Sequence, residues 1–425
     1  MSTVPQPAPT QGDTAWFVQD RFGMFIHWGT YSLAARHEWV KMKEEISDAD
    51  YQKYFDHFDP DLYNPRAWAR AAREAGMKYV VLTTKHHEGF CLWDSKYTDY
   101  KATNSPCGKD LLTPFVEAFR AEGLKIGFYY SLLDWHHPDF TIDPLHPMRN
   151  HPDAEKLNRD RDMTRYAEYM RDQVRELLTD FGRIDILWFD FSYPQQKLGA
   201  LTGKGHEDWE SEKLLKLVRE LQPQVIVDNR LDLPPGNADV YTPEQFQPRE
   251  WVTVDGEPVV WETCQTFSGS WGYHRDEMTW KSPEQLIRML VNSVSCGGNL
   301  LMNVGPTARG TFDNRACDAL QAYADWMRLH QRSIYGCTQS EFEAPRDCRF
   351  TQNGNRLYVH VYGWPFKTLH LDGLAGKVEY AQLLSDASEV LMQEPDGDNE
   401  LRTLDLQLPV RKPDVVVPVI ELFLK

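Results

Sequence analysis

The chain predicts an α/β architecture: a (β/α)8 TIM-like barrel, irregular in its sixth and seventh units, followed by a small antiparallel β-sandwich. Between Met24 and about Pro306, apolar runs of strand length alternate with segments whose apolar residues recur every three or four positions. That repetition demands parallel pairing through crossover helices, and eight units of it favour a closed ring over an open sheet. No GxGxxG follows the first strand, which argues against an open sheet of the dinucleotide-binding type. After about Glu341 the pattern changes to short alternating runs separated by Gly, Asp, Asn and Pro, the signature of β-hairpins.

In chain order, residues 1–14 read as a disordered tail of Pro, Ser, Thr and Gln. They lack a basic start followed by an apolar run, so no secretory signal is expected. Residues 15–340 form the expected barrel. Its strands are MFIHWG from Met24, YVVLTT from Tyr79, KIGFYYS from Lys125, DILWFD from Asp185, VIVDNR from Val225, DVYTPE from Asp239, PVVWET from Pro258 and GNLLMNVGP from Gly298. Helical spacing marks Arg66–Ala75, Leu111–Glu122, Arg161–Thr179, Glu212–Leu221, Pro283–Ser295 and Arg315–His330. No helical pattern separates the sixth strand from the seventh, hence the expected irregularity. Residues 341–425 supply the sandwich, with strands in RLYVHVYGWP, TLHLDGL, EYAQLLS, SEVLMQE, TLDLQLP and VVVPVIELFLK.

The net charge of −17 argues against a nucleic-acid partner, where Lys and Arg must meet the phosphates. No apolar run is long enough to span a membrane. Seven scattered cysteines without CxxC spacing suggest reduced thiols and a cytoplasmic location. Fourteen Trp, 19 Tyr and 20 Phe exceed what a core of this size requires, and flat apolar faces that stack on sugar rings are one use for them. The aromatic surplus and the extra β domain are also compatible with a homo-oligomer.

Barrel active sites gather at the C-terminal ends of the strands. There this chain places His27-Trp28-Gly29, Glu38-Trp39, Lys85-His86-His87-Glu88, Tyr129-Tyr130, Asp134-Trp135-His136-His137, Trp188-Phe189-Asp190, Asp228-Asn229-Arg230, Thr242-Pro243-Glu244 and Trp261-Glu262. Singly, each has an ordinary explanation: a hydrogen-bonded structural His, an Asp capping the next helix, a buried Glu paired with a cation. Together on one rim they make a costly cluster of desolvated polar groups, of the kind kept for binding or reaction. His86-His87 and His136-His137 are adjacent pairs, which on a strand face opposite ways, and HExxH is absent. The cluster therefore reads as a sugar site, without metal or cofactor.

The segments FGMFIHWG, HEWV, YVVLTTKHHEGFCLWDS, KIGFYYSLLDWHHP, DILWFD, VIVDNR, YTPEQ, WETCQTFSGSWGY and GGNLLMNVGPTARG resemble glycoside hydrolase family 29, the α-L-fucosidases, in order from about Ala15 to Trp326. That resemblance implies a retaining exo-α-L-fucosidase acting through a covalent fucosyl-enzyme. Asp190 matches the nucleophile, and Trp188 lines its pocket. His27, His86 and His87 match groups that bind fucose hydroxyls, and Glu38 and Trp39 match a sugar-contacting pair. Tyr130 matches a pocket tyrosine, with Tyr129 close in register; Arg230 matches an arginine near the nucleophile, and Trp271 an aromatic on the fucose methyl. For the acid/base, Glu244 is placed first, Glu262 second and Glu38 third. Retention needs the two carboxyl groups about 5–5.5 Å apart. The rival readings are a hydrolase of α-L-galactosides and a sugar-binding protein without catalysis.

Overall fold

In a computed structural model, which describes residues 4–394 and 399–425, seven parallel strands form one curled sheet. They are β1 (Phe22–Ile26), β2 (Tyr79–Lys85), β3 (Lys125–Ser131), β4 (Ile186–Asp190), β5 (Ile226–Val227), β6 (Glu262–Thr266) and β7 (Asn299–Val304). Their order is β6-β7-β1-β2-β3-β4-β5, so β5 and β6 are the edges. The segment expected as the sixth strand, Asp239–Glu244, joins those edges through isolated parallel bridges rather than a full ladder. Asp239 N donates to Val227 O (2.8 Å), Tyr241 N to Val260 O (2.9 Å) and Cys264 N to Pro243 O (3.2 Å). Pro243 has no N–H to give, which by itself interrupts a ladder here. The ring is thus eight-membered with one irregular member.

Two hydrophobic clusters follow from the two-residue alternation of the strands. Inward-facing Phe25, Tyr79, Val81, Tyr129, Ile186, Trp188, Val240, Cys264 and Leu301 pack inside the ring. Phe22, Met24, Ile26, Val80, Leu82, Ile126 and Phe128 face outward against the helices. Gly23 sits on the inner face, where an added Cβ would stand 2.2 Å from the Tyr79 ring; glycine here makes room for that tyrosine.

The helical layer is α1 (Pro65–Glu74), α2 (Leu112–Ala121), α3 (Met163–Thr179), α4 (Ser211–Leu221), α5 (Pro283–Ser295) and α6 (Asn314–His330), each within two residues of its sequence expectation. Their starts are chemically marked. Asn64 caps α1 ahead of Pro65, and Ser282 and Gln285 form a reciprocal capping box on α5. Between Asp239–Glu244 and β6 there is a short hairpin, Thr253–Val254 with Glu257–Pro258, and no helix.

Beyond the barrel, β8 (Thr338–Gln339), β9 (Cys348–Asn353), β10 (Arg356–Val361), β11 (Thr368–Leu371), β12 (Val378–Leu383), β13 (Leu391–Gln393), β14 (Leu404–Gln407) and β15 (Val419–Leu424) make two antiparallel sheets, β8-β9-β10-β15-β12 and β11-β14-β13. They enclose their own core, including Phe350, Leu357, Leu371, Leu406 and Leu422. Strand β9 was not expected, because CRFTQN offers only one large apolar side chain. The sandwich is held to the barrel by hydrogen bonds from Trp326 Nε1 to Val417 O (3.0 Å) and Tyr362 Oη to Asn292 Oδ1 (2.9 Å), and by the Arg332–Glu421 ion pair (2.6 Å). The tail expected over residues 1–14 is anchored at its end: Gly12 N donates to Asp239 Oδ1 (2.7 Å) and Asp13 N to Gln224 O (2.9 Å). Among the described residues, no helix is long and apolar enough to cross a membrane.

Candidate active site

At the C-terminal ends of the strands lies a pocket lined by Phe25, His27, Trp39, His86, His87, Tyr129, Trp188, Asp190, Phe191, Glu244, Cys264 and Trp271. Eight of the twelve residues named from sequence for catalysis or sugar binding line it. Arg230 reaches it through a carboxylate, whereas Tyr130 and Glu262 are turned elsewhere and Glu38 lines the adjoining cleft.

His86 and His87 both enter the pocket, contrary to the expectation that neighbours point apart. Strand alternation no longer applies to them, because β2 ends at Lys85 after a register shift against β3 between Thr83 and Lys85. The chain then turns, Gly89 N donating to His86 O, and the two imidazoles lie 3.9 Å apart. His136 and His137 stay outside: Asp134 Oδ1 accepts both backbone N–H groups, and His136 stacks on Tyr100 at 4.0 Å.

Asp190, the last residue of β4, is buried. Tyr129 Oη donates to its Oδ2 (2.6 Å) and Arg230 Nη1 to its Oδ1 (2.9 Å), while His87 Nε2 lies 3.8 Å from Oδ2. The pocket tyrosine is therefore Tyr129. Tyr130, one residue on, faces outward, accepts from Lys85 Nζ (2.9 Å) and donates to Gln173 Oε1 (2.8 Å). Phe191, just past the nucleophile candidate, holds φ at +79°, a strained value for a non-glycine that bends the chain away and leaves Asp190 at the strand tip.

The three acid/base candidates separate clearly. Glu244 Oε2 lies 2.8 Å from the same Arg230 Nη1 that binds Asp190, and its side chain is 39% exposed at the pocket mouth. One shared nitrogen bounds the separation of the two carboxyl oxygens at about 5.7 Å, 2.9 plus 2.8. Glu262 begins β6 at the opposite, N-terminal end of the ring, where it accepts from Tyr79 Oη. It cannot reach a sugar beside Asp190, so the second-ranked acid/base is withdrawn. Glu38 has one oxygen tied up: its Oε2 accepts from Gly272 N (2.7 Å), joining its loop to the one that carries Trp271.

Aromatic side chains complete the walls. Trp39 packs edge-on against His87 (4.7 Å) and Phe191 (5.2 Å), and Trp271 lies 5.1 Å from His27. Trp188 faces inward, with the Arg230 guanidinium 4.5 Å above its ring. Arg230 is further held by donation to Thr242 Oγ1 (3.1 Å). Sequence reasoning missed Phe25, Phe191 and Cys264; inward alternation from His27 finds Phe25 two residues earlier, whereas the turn at Phe191 has no local signal.

Burial pushes the Asp190 carboxyl above its usual range; Arg230 pulls it back down, Glu244 adds to the rise, and the Tyr129 hydrogen bond lowers it. Burial drives His27 and His87 well below the ordinary imidazole value, with neighbouring imidazoles adding to the effect, so both are neutral near pH 7. Among the described residues, no group of three or more His, Cys, Asp or Glu is arranged to hold a metal ion.

A family profile described as alpha-L-fucosidase matches residues 6–332. The chain belongs to the α-L-fucosidase family. Among curated relatives of this glycoside hydrolase, the plasma alpha-L-fucosidase of Pongo abelii is 30% identical, over 76% of this chain and 69% of that one. Alpha-L-fucosidase isoenzyme 1 from Paenibacillus thiaminolyticus superposes with a TM-score of 0.91 at 46% identity, covering 97% of this chain and 98% of that one. An alpha-L-fucosidase of family 29 from Bacteroides thetaiotaomicron, solved as a trapped covalent intermediate with 2-fluoro-fucosyl fluoride, superposes at 0.83 with 27% identity, covering 100% and 98%.

Proposed function

We propose that this α-L-fucosidase removes terminal α-L-fucosyl groups by double displacement, with Asp190 as nucleophile and Glu244 as acid/base. The observation that carries this reading is the single guanidinium nitrogen shared by a buried carboxylate and an exposed one. Its bound of about 5.7 Å suits a retaining pair and is too short for an inverting pair, which must hold a water between the carboxyls.

In the first step Asp190 Oδ2 or Oδ1 attacks the anomeric carbon, and Glu244 gives its proton to the departing oxygen. A fucosyl ester of Asp190 results. Glu244, now ionised, takes a proton from water as that water attacks the ester. Arg230 and Tyr129 keep the nucleophile ionised and aimed before the attack. The exposure of Glu244 suits a group that must meet both leaving group and water. Trp39 and Trp271 supply apolar faces, and the imidazoles meet hydroxyls. Beside the pocket, Glu38, Trp39, Lys43, Gln245, Trp271 and Lys281 help line an open cleft of about 600 Å³, which suits the aglycone. All seven cysteines are free, six of them buried, which supports a reducing compartment such as the cytoplasm.

The test is hydrolysis of an aryl α-L-fucoside followed by NMR from the first turnover. Release of α-L-fucose ahead of mutarotation supports the reading; β-L-fucose as first product, or no release from any fucoside, refutes it.

A further inference from the structure

We infer that Ser131 and Asn303 are positioning residues: they lock His87 and His27 as Nδ1–H tautomers, so that both imidazoles meet the pocket with a bare Nε2 and accept hydrogen bonds from ligand hydroxyls. At each anchor one arrangement of protons satisfies every hydrogen-bonding partner. Ser131 has one hydroxyl proton, and it is given to Leu133 O (2.8 Å). Its lone pairs then accept from Leu133 N (3.1 Å) and face His87 Nδ1 at 2.6 Å. With the Ser131 proton on Leu133 O, the contact is completed by a proton on His87 Nδ1, the arrangement that leaves neither acceptor unmet.

Asn303 acts by its orientation. Its Nδ2 donates to Trp271 O (2.6 Å); a flipped amide would set two oxygens against each other at that spacing. Oδ1 therefore faces His27 Nδ1 at 2.6 Å, and His27 is the donor. A neutral ring with its proton on Nδ1 presents only a lone pair at Nε2. Burial of both rings disfavours the imidazolium, in which both nitrogens would donate. His87 Nε2 and Asp190 Oδ2, two acceptors, stand 3.8 Å apart, too far for a direct bond. A hydroxyl is the group that supplies the missing proton.

The pocket thus reads at least two hydroxyls of its ligand as donors, a rule that separates a hydroxyl from fluorine or an ether oxygen of similar size. The tautomer assignment stands on the protein alone; its use on a sugar rests on the function proposed above.

Neutron diffraction from deuterium-exchanged crystals of the unliganded protein decides the lock. Deuterium on Nδ1 and none on Nε2 of His27 and His87 is expected; deuterium on Nε2 of either ring overturns it. The second arm compares monodeoxy and monodeoxyfluoro L-fucoses as competitive inhibitors of aryl α-L-fucoside hydrolysis. At the hydroxyls read by Nε2, both replacements lose about tenfold in affinity or more, because fluorine cannot donate. Recovery of affinity by fluorine at every position overturns the donor rule. Ser131→Ala is expected to lower kcat/KM about tenfold and to free His87 for the Nε2–H form, with Ser131→Thr restoring part of the loss. Loss of activity in Ser131→Ala with deuterium still confined to Nδ1 of His87 would reduce Ser131 to a packing role and overturn its assignment. Failure of L-fucose to inhibit at all would sink the sugar reading and leave the neutron result standing.

Discussion

The two ends of this barrel each bury a carboxyl group, and they treat it in opposite ways. At the mouth, Asp190 has a guanidinium at 2.9 Å and a phenol at 2.6 Å, and a second carboxylate beyond them. At the floor, Glu262 has the Tyr79 hydroxyl and, among the described residues, no cation within ion-pairing distance, and burial pushes it up to about 8. Desolvation is common to both; the cation is what differs. A buried carboxyl with a cation stays available as an anion, while one without it is held neutral and serves packing. Sequence places both residues at the ends of apolar runs, so charge partnership, more than local context, separates a reacting carboxyl from a structural one.

The largest effect should come from removing the mouth carboxyl. Asp190→Gly is expected to lose roughly 10^4-fold or more in kcat with the fold intact, and azide should restore turnover as β-L-fucosyl azide. Retention of near-normal turnover would remove Asp190 from the chemistry. Next in size, Glu244→Ala should slow oligosaccharides by about 10²–10⁴-fold and activated aryl fucosides much less, with azide giving the α-azide. The same leaving-group dependence in Glu262→Ala, and not in Glu244→Ala, would reverse the contrast between the two ends.

A smaller change sharpens the role of hydrogen bonding at the mouth. The Tyr129 bond lowers the Asp190 pKa, so Tyr129→Phe raises it. The acid limb of kcat/KM should move to higher pH, with a loss of about tenfold at neutral pH. An unmoved limb would mean that the phenol does not tune the nucleophile.

The smallest effect on turnover belongs to the floor. Glu262→Gln should leave kcat within a few-fold of wild type and change stability instead. The folded-state pKa of about 8 exceeds the ordinary value of 4.5, so the folded state binds the proton more tightly. Its contribution is therefore full below pH 4.5 and declines as pH rises through about 8. Thermal unfolding of Glu262→Gln should lack that decline, leaving its Tm above the wild-type value at pH 9. Parallel Tm curves for the two proteins would contradict a neutral buried Glu262.

The amino-acid sequence by itself determined the alternation of strands and helices, the change to hairpins beyond the barrel, and the crowding of His27, His86, Asp190, Arg230 and Glu244 at strand ends. Those features are local: hydrophobic period, caps and the polarity switch at the end of each apolar run are written in neighbouring residues. Tertiary structure alone decided which neighbour faces the ligand. A register shift in β2 and the turn after Lys85 bring His86 and His87 to one side, and the register of β3 turns Tyr129 in and Tyr130 out. It also decided that Glu244 and Asp190 share Arg230, and that Glu38 is tied to Gly272 across 234 positions of chain. Facing depends on a two-residue period that a single bulge inverts, and partnership on contacts between distant segments; neither leaves a mark in a local stretch of sequence.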